Sequence, residues 1–486
     1  MNFINQLFRR KTIDACFNDI ENPNTQLKKV LGPWQLIALG IGAVIGSGIF
    51  ASIGTAAAGD LLRPGAGPAI VVSFIITAIA CSFAALCYAE FTAMVPISGS
   101  AYTYTYATMG EWMAWIIGWD LIIEYAVGNV AVAIAWSGYF NQLLLGVGIP
   151  LPVWLTTDLR TALASPEILA AAPHLGSLPI VCNLPAALIV LAITALLVVG
   201  IRESSRFNTL IVFIKLVTLA IFVAVGFSYV QPANWHPFMP NGWKGVQAGA
   251  AVIFFAYIGF DAISTAAEEC RNPARDMPIG ILGSLVACTL IYIIVAVVLT
   301  GLLPSSGLNV KEPLALALVK IGQINAAGFV AFGAVIALTS VLLVFQMGQP
   351  RIFFSMARDG LLPPWCAKVH PKFRTPHVTT ILTGILVAFF SAFASIDEVV
   401  DLTNIGTLFA FVLVCIGIII LRVRDPNRPR PFKAPLFPVV PILGVVSCLY
   451  LMLGLPQITW IRFGVWLLVG FLLYFLYGAK HSRLRQ

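Results

Sequence analysis

The chain has 486 residues, of which 59% are hydrophobic and only 10% charged, whereas soluble globular proteins carry roughly 25% charged residues. So much apolar surface cannot be buried in one water-soluble core. The net charge of +8 is scattered through short polar segments rather than gathered in one domain, which excludes nucleic acid as the partner.

Residues 1–32 read as a polar tail holding Arg9, Arg10 and Lys11. Glu21-Asn22-Pro23-Asn24 stands where a leader would need an apolar stretch, so no signal peptide is expected. Phe3, Ile4, Leu7 and Phe8 form either a short interfacial helix or part of an unstructured tail. Apolar runs long enough to cross a hydrocarbon core of about 30 Å then recur to the end of the chain. They place helices at 33–56, 67–93, 111–145, 184–200, 207–230, 243–265, 278–303, 324–355, 376–395, 399–421, 436–455 and 460–478. The expected fold is an all-α polytopic membrane protein of about twelve transmembrane helices.

An even number of spans puts both termini on one side. With that side cytoplasmic, 22 of the 29 Lys and Arg residues fall in cytoplasmic segments. Arg63, Arg160, Lys244, Lys311, Lys320 and Arg462 fall outside and Lys215 lies in the membrane. This asymmetry follows the positive-inside rule and predicts a multi-pass plasma-membrane protein, in a bacterium the inner membrane. The nine cysteines form no Cys-x-x-Cys pair, and only Cys182 lies clearly in an external loop, so neither a disulfide framework nor a zinc site is expected.

Two spans look interrupted. The first holds Gly40, Gly42, Gly46 and Gly48, and the sixth reaches Gly259 after Phe254-Phe255-Ala256-Tyr257-Ile258. Each glycine costs a helix interior roughly 1 kcal/mol relative to alanine. The glycines either permit close helix packing or mark unwound segments. Spans one and six occupy corresponding places if 33–230 and 243–421 are inverted five-helix repeats followed by two further helices at 436–478 and a tail at 479–486. Paired interruptions in such positions point to a transporter's central site.

Charges at membrane depth are costly and tend to be functional. Lys215 lies in the fifth span within Ile211-Val212-Phe213-Ile214-Lys215-Leu216-Val217 and is either a structural ion-pair partner or long-reaching snorkeller, or a titrating, ion-mimicking group. Asp120 and Glu124 share one face of the third span at a four-residue spacing, forming either buried hydrogen-bonded groups or a proton relay. Asp261 follows the sixth-span interruption and can cap the next half-helix. Glu268-Glu269-Cys270-Arg271-Asn272-Pro273 and Arg351–Leu362 are either inward-gate ion pairs or solvated loop charges. No Ser-His-Asp arrangement, phosphate loop or metal-ligand cluster is evident, so the chain is not expected to be an enzyme and no cofactor or metal is expected.

Gly42-Ala43-Val44-Ile45-Gly46-Ser47-Gly48-Ile49-Phe50, Phe254 through Asp261, Ala266-Ala267-Glu268-Glu269 with Asn272-Pro273, and Arg351-Ile352-Phe353 with Arg358-Asp359-Gly360-Leu361 together resemble the amino acid–polyamine–organocation permeases. The sixth-span run is similar to the cationic amino acid transporter family, especially its prokaryotic members. The resemblance covers about 30–480 and implies the leucine-transporter fold, with five-plus-five inverted repeats and two extra C-terminal helices. It further implies that a substrate α-carboxylate meets backbone amides at Ser47 and Gly48, beside Val44, and that the α-amino group meets carbonyls at Phe255, Ala256 and Ile258. Helix physics favours the same polarity, since half-helix N-termini attract anions and unwound carbonyls attract cations. By the same resemblance, Leu338 and Thr339 of the eighth span face the substrate side chain. Lys215 matches a lysine that proton-coupled members carry in place of a sodium ion. Glu124 matches a glutamate of the prokaryotic relatives that is not general to the animal members. The reading is therefore proton-coupled symport of neutral to cationic L-amino acids, with Lys215 and Glu124 in proton coupling. An exchanger or uniporter without proton coupling, or a sensor, is the alternative, and an accessory subunit is left open.

Overall fold

The structure is a computed structural model that describes residues 9, 31–94, 100–176, 178–200, 205–373 and 375–483. Most of the N-terminal tail, including the stretch from Phe3 to Phe8, lies outside the described residues, as do Arg202, Arg374 and Arg485.

Among the described residues the chain is helical apart from a two-residue hairpin in a loop, β1 (His174–Leu175) with β2 (Leu178–Pro179). The first apolar run is divided. Helix α1 (Pro33–Val44) starts on a proline, whose missing N–H costs nothing in the first turn. It gives way to a π-helical turn at Gly48–Ser52 and to α2 (Ile53–Ala58), and the two halves meet at 45°. Next come α3 (Ile70–Met94) and a loop helix α4 (Ser100–Thr108), which the apolar windows do not reveal because its Tyr and Thr residues lower the hydropathy. The third run is α5 (Glu111–Ile122) and α6 (Gly128–Gly146), joined by a π-helical turn at Ile123–Val127 that carries Glu124. Then follow α7 (Leu184–Val199), α8 (Ser205–Phe227) and α9 (Gly242–Ile253).

Beyond α9 the chain tightens into short 3-10 turns at Phe254–Ala256 and Asp261–Glu269, so the sixth run is interrupted where the glycine pattern places a break. Helix α10 (Pro273–Leu302) starts on Pro273, five residues earlier than hydropathy suggests, and retains Pro278 inside its first turns. The remaining helices are α11 (Pro313–Lys320), α12 (Ile324–Arg358), α13 (His377–Phe393), α14 (Ile396–Arg424), α15 (Val439–Met452) and α16 (Gln457–Leu473). Among the described residues, seven helices are long and apolar enough to cross a membrane, eight with the bent pair counted as one, and α7, α13 and α15 are shorter apolar helices. This is a polytopic all-α membrane protein.

Large apolar side chains face outward along these helices, Phe332, Phe389 and Leu468 among them, as lipid-facing surfaces require. Polar pairs are kept inside. Glu90 on α3 is fully buried, and Arg422 of α14 grips it with Nε to Oε1 at 2.9 Å and Nη2 to Oε2 at 2.5 Å. The Ala434 amide adds a bond of 2.8 Å, which ties α3 to the segment between α14 and α15. At the opposite end Arg63 donates to Asp60 at 2.9 Å and to Asp401 at 2.5 Å, joining the loop after α2 to α14. The segment 268–273 pairs by backbone: Leu31 N donates to Glu269 O at 3.0 Å and Arg271 N to Leu31 O at 2.9 Å, clasping the start of α1.

Removing one member of a buried pair strands the other charge, at a cost of roughly 3–5 kcal/mol. Arg422→Leu is therefore expected to lower the melting temperature of the detergent-solubilised protein markedly, and Glu90→Leu in the same chain to restore much of it. Equal melting of the single variant and the unmodified chain would show that the Arg430 guanidinium, 3.5 Å from Glu90, suffices alone.

Candidate functional site

A helix break frees backbone groups, and at membrane depth water is not there to satisfy them. The two breaks meet this demand by packing on each other. A Cβ on Gly48 would lie 2.2 Å from Ala256 Cα, and one on Gly259, whose φ is +116°, would lie 2.9 Å from Ala43 O. Only glycine permits both approaches, and at Gly259 only glycine adopts the backbone without strain. The Tyr292 hydroxyl of α10 stands 2.9 Å from the carbonyl oxygens of both Val44 and Ala256, sharing its hydrogen between the two breaks. Asn404 of α14 donates to the carbonyls of Ala251 at 2.8 Å and Val252 at 3.1 Å, at the end of α9. Neither Tyr292 nor Asn404 is among the residues that the sequence singles out. Single polar residues on otherwise apolar spans give no motif, although polar groups at that depth are the one available sign.

Lys215 of α8 is fully buried, and its Nζ donates to Gly42 O at 2.6 Å and Ile45 O at 2.9 Å. The last carbonyls of α1 have lost their helical partners and carry the partial negative charge of the helix C-terminus. Cys288 also lies near the ammonium.

Around the breaks, Ala43, Val44, Gly46, Ser47, Gly48, Val132, Phe255, Ile258, Val341 and Phe345 enclose a space of about 10 Å³, room for little more than one water. The helices must separate before an amino acid fits. Val44, Ser47, Gly48, Phe255 and Ile258 thus converge as the sequence leads one to expect, with Ala256 behind them against Gly48. Ser47 Oγ is buried and has no protein partner among the described residues. Leu338 is buried elsewhere, and Thr339 accepts from Trp136 Nε1 at 2.9 Å while donating to Val335 O at 2.7 Å. From α12 it is Val341 and Phe345, one to two turns further on, that line the space. The sequence offers only the helix here, because its rotation is set by packing.

Glu124 does not join Lys215. It lies near Asp261, Thr407 and Asp120, and all four are buried. Phe345 stacks edge-on against Tyr125 at 5.7 Å and packs beside Gly128. A larger cavity of about 380 Å³ between α6 and α7 is lined by Trp136, Phe140, Leu184 and Leu188 and other apolar residues. It offers no polar group that could orient an amino acid.

The amino acid permease family model matches residues 31–473. The chain is 48% identical over 481 residues to the branched-chain amino acid permease BcaP of Bacillus subtilis (strain 168), covering 99% of both. It is 46% identical over 483 residues to the methylthioribose transporter of the same organism, covering 99% of this chain and 100% of the relative. It is 31% identical over 583 residues to cationic amino acid transporter 4 of Homo sapiens, covering 95% of this chain and 89% of the relative. Matches that run nearly end to end, over a bundle whose two breaks meet at Gly48 and Gly259, establish that this protein belongs to the amino acid permease family, within the amino acid–polyamine–organocation superfamily and close to the cationic amino acid transporters.

Proposed function

We propose that this permease is a proton-coupled L-amino acid symporter working by alternating access. The observation that carries the coupling is the Lys215 ammonium on Gly42 O and Ile45 O. A protonated Lys215 holds the inner end of α1 against α8. A neutral lysine loses the charge that makes these bonds strong, and α1 is then free to swing away. Substrate and proton favour the same arrangement of α1, and that shared preference is the coupling. Glu124, with Asp261, serves as the second proton-handling group.

The seven long helices, the bent pair, the three shorter apolar helices and the interrupted segment 242–269 supply the twelve spans of a five-plus-five inverted repeat with two extra helices. Both termini face the cytoplasm on the balance of basic residues, and the membrane is the plasma membrane, the inner membrane in a bacterium. The substrate carboxylate sits on the Ser47 and Gly48 amides beside Val44, and the ammonium on the carbonyls of Phe255, Ala256 and Ile258. The side chain then meets Val132, Val341 and Phe345. This apolar lining supports a preference for neutral, branched substrates within the neutral-to-cationic range, in keeping with the name of the Bacillus subtilis permease. Leu338 and Thr339 act on selectivity from behind, through the position of α12.

Uptake of labelled leucine, alanine, arginine and methylthioribose into proteoliposomes tests the whole reading. Leucine is expected to accumulate when an inward proton gradient is supplied, and Lys215→Ala to abolish that accumulation while folded protein remains. Accumulation by Lys215→Ala driven by protons alone would refute the role of the lysine, and gradient-independent exchange by the unmodified chain would replace symport with antiport. Gly48→Ala is expected to force the two breaks apart and to remove leucine binding, read as loss of the ligand-dependent melting shift. Phe345→Ser, which opens and polarises the lining, is expected to raise uptake of arginine relative to leucine; an unchanged ranking would place the side chain elsewhere.

A further inference from the structure

The face of α12 that lines the central space continues beyond it. Val341 and Phe345 belong to the lining, and Gln349 follows at the next four-residue step, one turn nearer the C-terminal end of the helix. The other glutamine of this turn is fully engaged. Gln346 Nε2 donates to Thr194 Oγ1 at 3.2 Å, and its Oε1 accepts from Asn129 Nδ2. Gln349 is completely buried as well, yet neither its Oε1 nor its Nε2 has a partner among the described residues. Buried amides are almost always satisfied. A side chain whose whole hydrogen-bonding capacity is left unused by the protein is one whose partner is not fixed to the protein.

The geometry points to Gln349 as a transit contact, a positioning residue on the path that substrate takes between the central site and the membrane face where α12 ends. This inference rests on the proposed transport reading, whose orientation makes that face cytoplasmic. The chemistry suits the task. A neutral amide donates through Nε2 to a passing carboxylate and accepts at Oε1 from a passing ammonium, so it serves both ends of a zwitterion without holding either by charge. Ser47 Oγ, also without a protein partner, offers the same kind of contact at the upper end of the path. Phe345, at the edge of the central space, precedes Gln349 by one turn on the stripe. Released from the backbone cradle, the zwitterion would otherwise cross an apolar stretch with its charges uncompensated.

Gln349→Met keeps the length and volume of the side chain and removes both polar atoms, and Gln349→Asn keeps the amide. Each full-length variant is purified, and leucine binding is measured by the ligand-dependent melting shift. The initial rate of proton-driven leucine uptake into proteoliposomes is then compared with that of the unmodified chain. For Gln349→Met the melting shift is expected to stay and KM to change little, while the maximal rate falls roughly tenfold, the size of effect that loss of one hydrogen bond to a moving ligand gives. Gln349→Asn is expected to recover most of the rate. An undiminished rate in Gln349→Met, beside an active unmodified protein, overturns the inference. So does an equal loss of rate and of melting shift in both variants, which would mean that Gln349 only packs. An unmodified chain that binds leucine without moving it would overturn the transport reading, and this inference with it.

Discussion

Everything at the centre of this molecule depends on the close approach of two interrupted helices. Gly48 lies against Ala256, Gly259 lies against Ala43, and neither contact admits a Cβ. Unwound backbone at membrane depth is tolerated only where it is enclosed by protein or lines a cavity, and here each break encloses the other. Tyr292 and Asn404 occupy the carbonyls nearest the crossing, so the breaks are held in shape by neighbouring helices and do not rely on the substrate to form.

Charge is distributed by the same logic. A lysine in a low-dielectric interior needs compensation, and Lys215 finds it in carbonyls that the end of α1 leaves free. The ion pairs behave differently. Glu90 with Arg422 and Arg63 with Asp60 and Asp401 lie toward opposite ends of α14, and each joins this helix to another part of the chain. Arginine remains charged under all ordinary conditions, so the cationic half of each of these joints is fixed. The bundle thus combines ionic joints at the two ends of α14 with a buried lysine held on carbonyls at the end of α1.

Membership of the family does not by itself fix the substrate. Two Bacillus subtilis relatives of nearly equal identity, at 48% and 46%, bear the names of a branched-chain amino acid permease and a methylthioribose transporter. In this chain the side chains around the central space include Val132, Val341 and Phe345, all apolar.

Hydropathy alone determined that the chain is a polytopic helical membrane protein, because each apolar run is long enough to span hydrocarbon without reference to any other. The breaks were legible too, since clustered glycines at Gly40–Gly48 and the run to Gly259 weaken a helix locally. Lys215 was conspicuous for being charged among Ile214, Leu216 and Val217. The tertiary structure decided what these features touch. That Lys215 reaches Gly42 and Ile45 rather than Glu124, and that Tyr292 bridges the breaks, depends on how four distant helices are rotated against one another. The same holds for α12, where Val341 and Phe345 rather than Leu338 and Thr339 line the cavity. In a soluble amphipathic helix the polar face reveals the rotation, but α12 is apolar on nearly every side. Its sequence carries no record of which face meets lipid and which meets substrate, and only packing against α6 and α8 settles the choice.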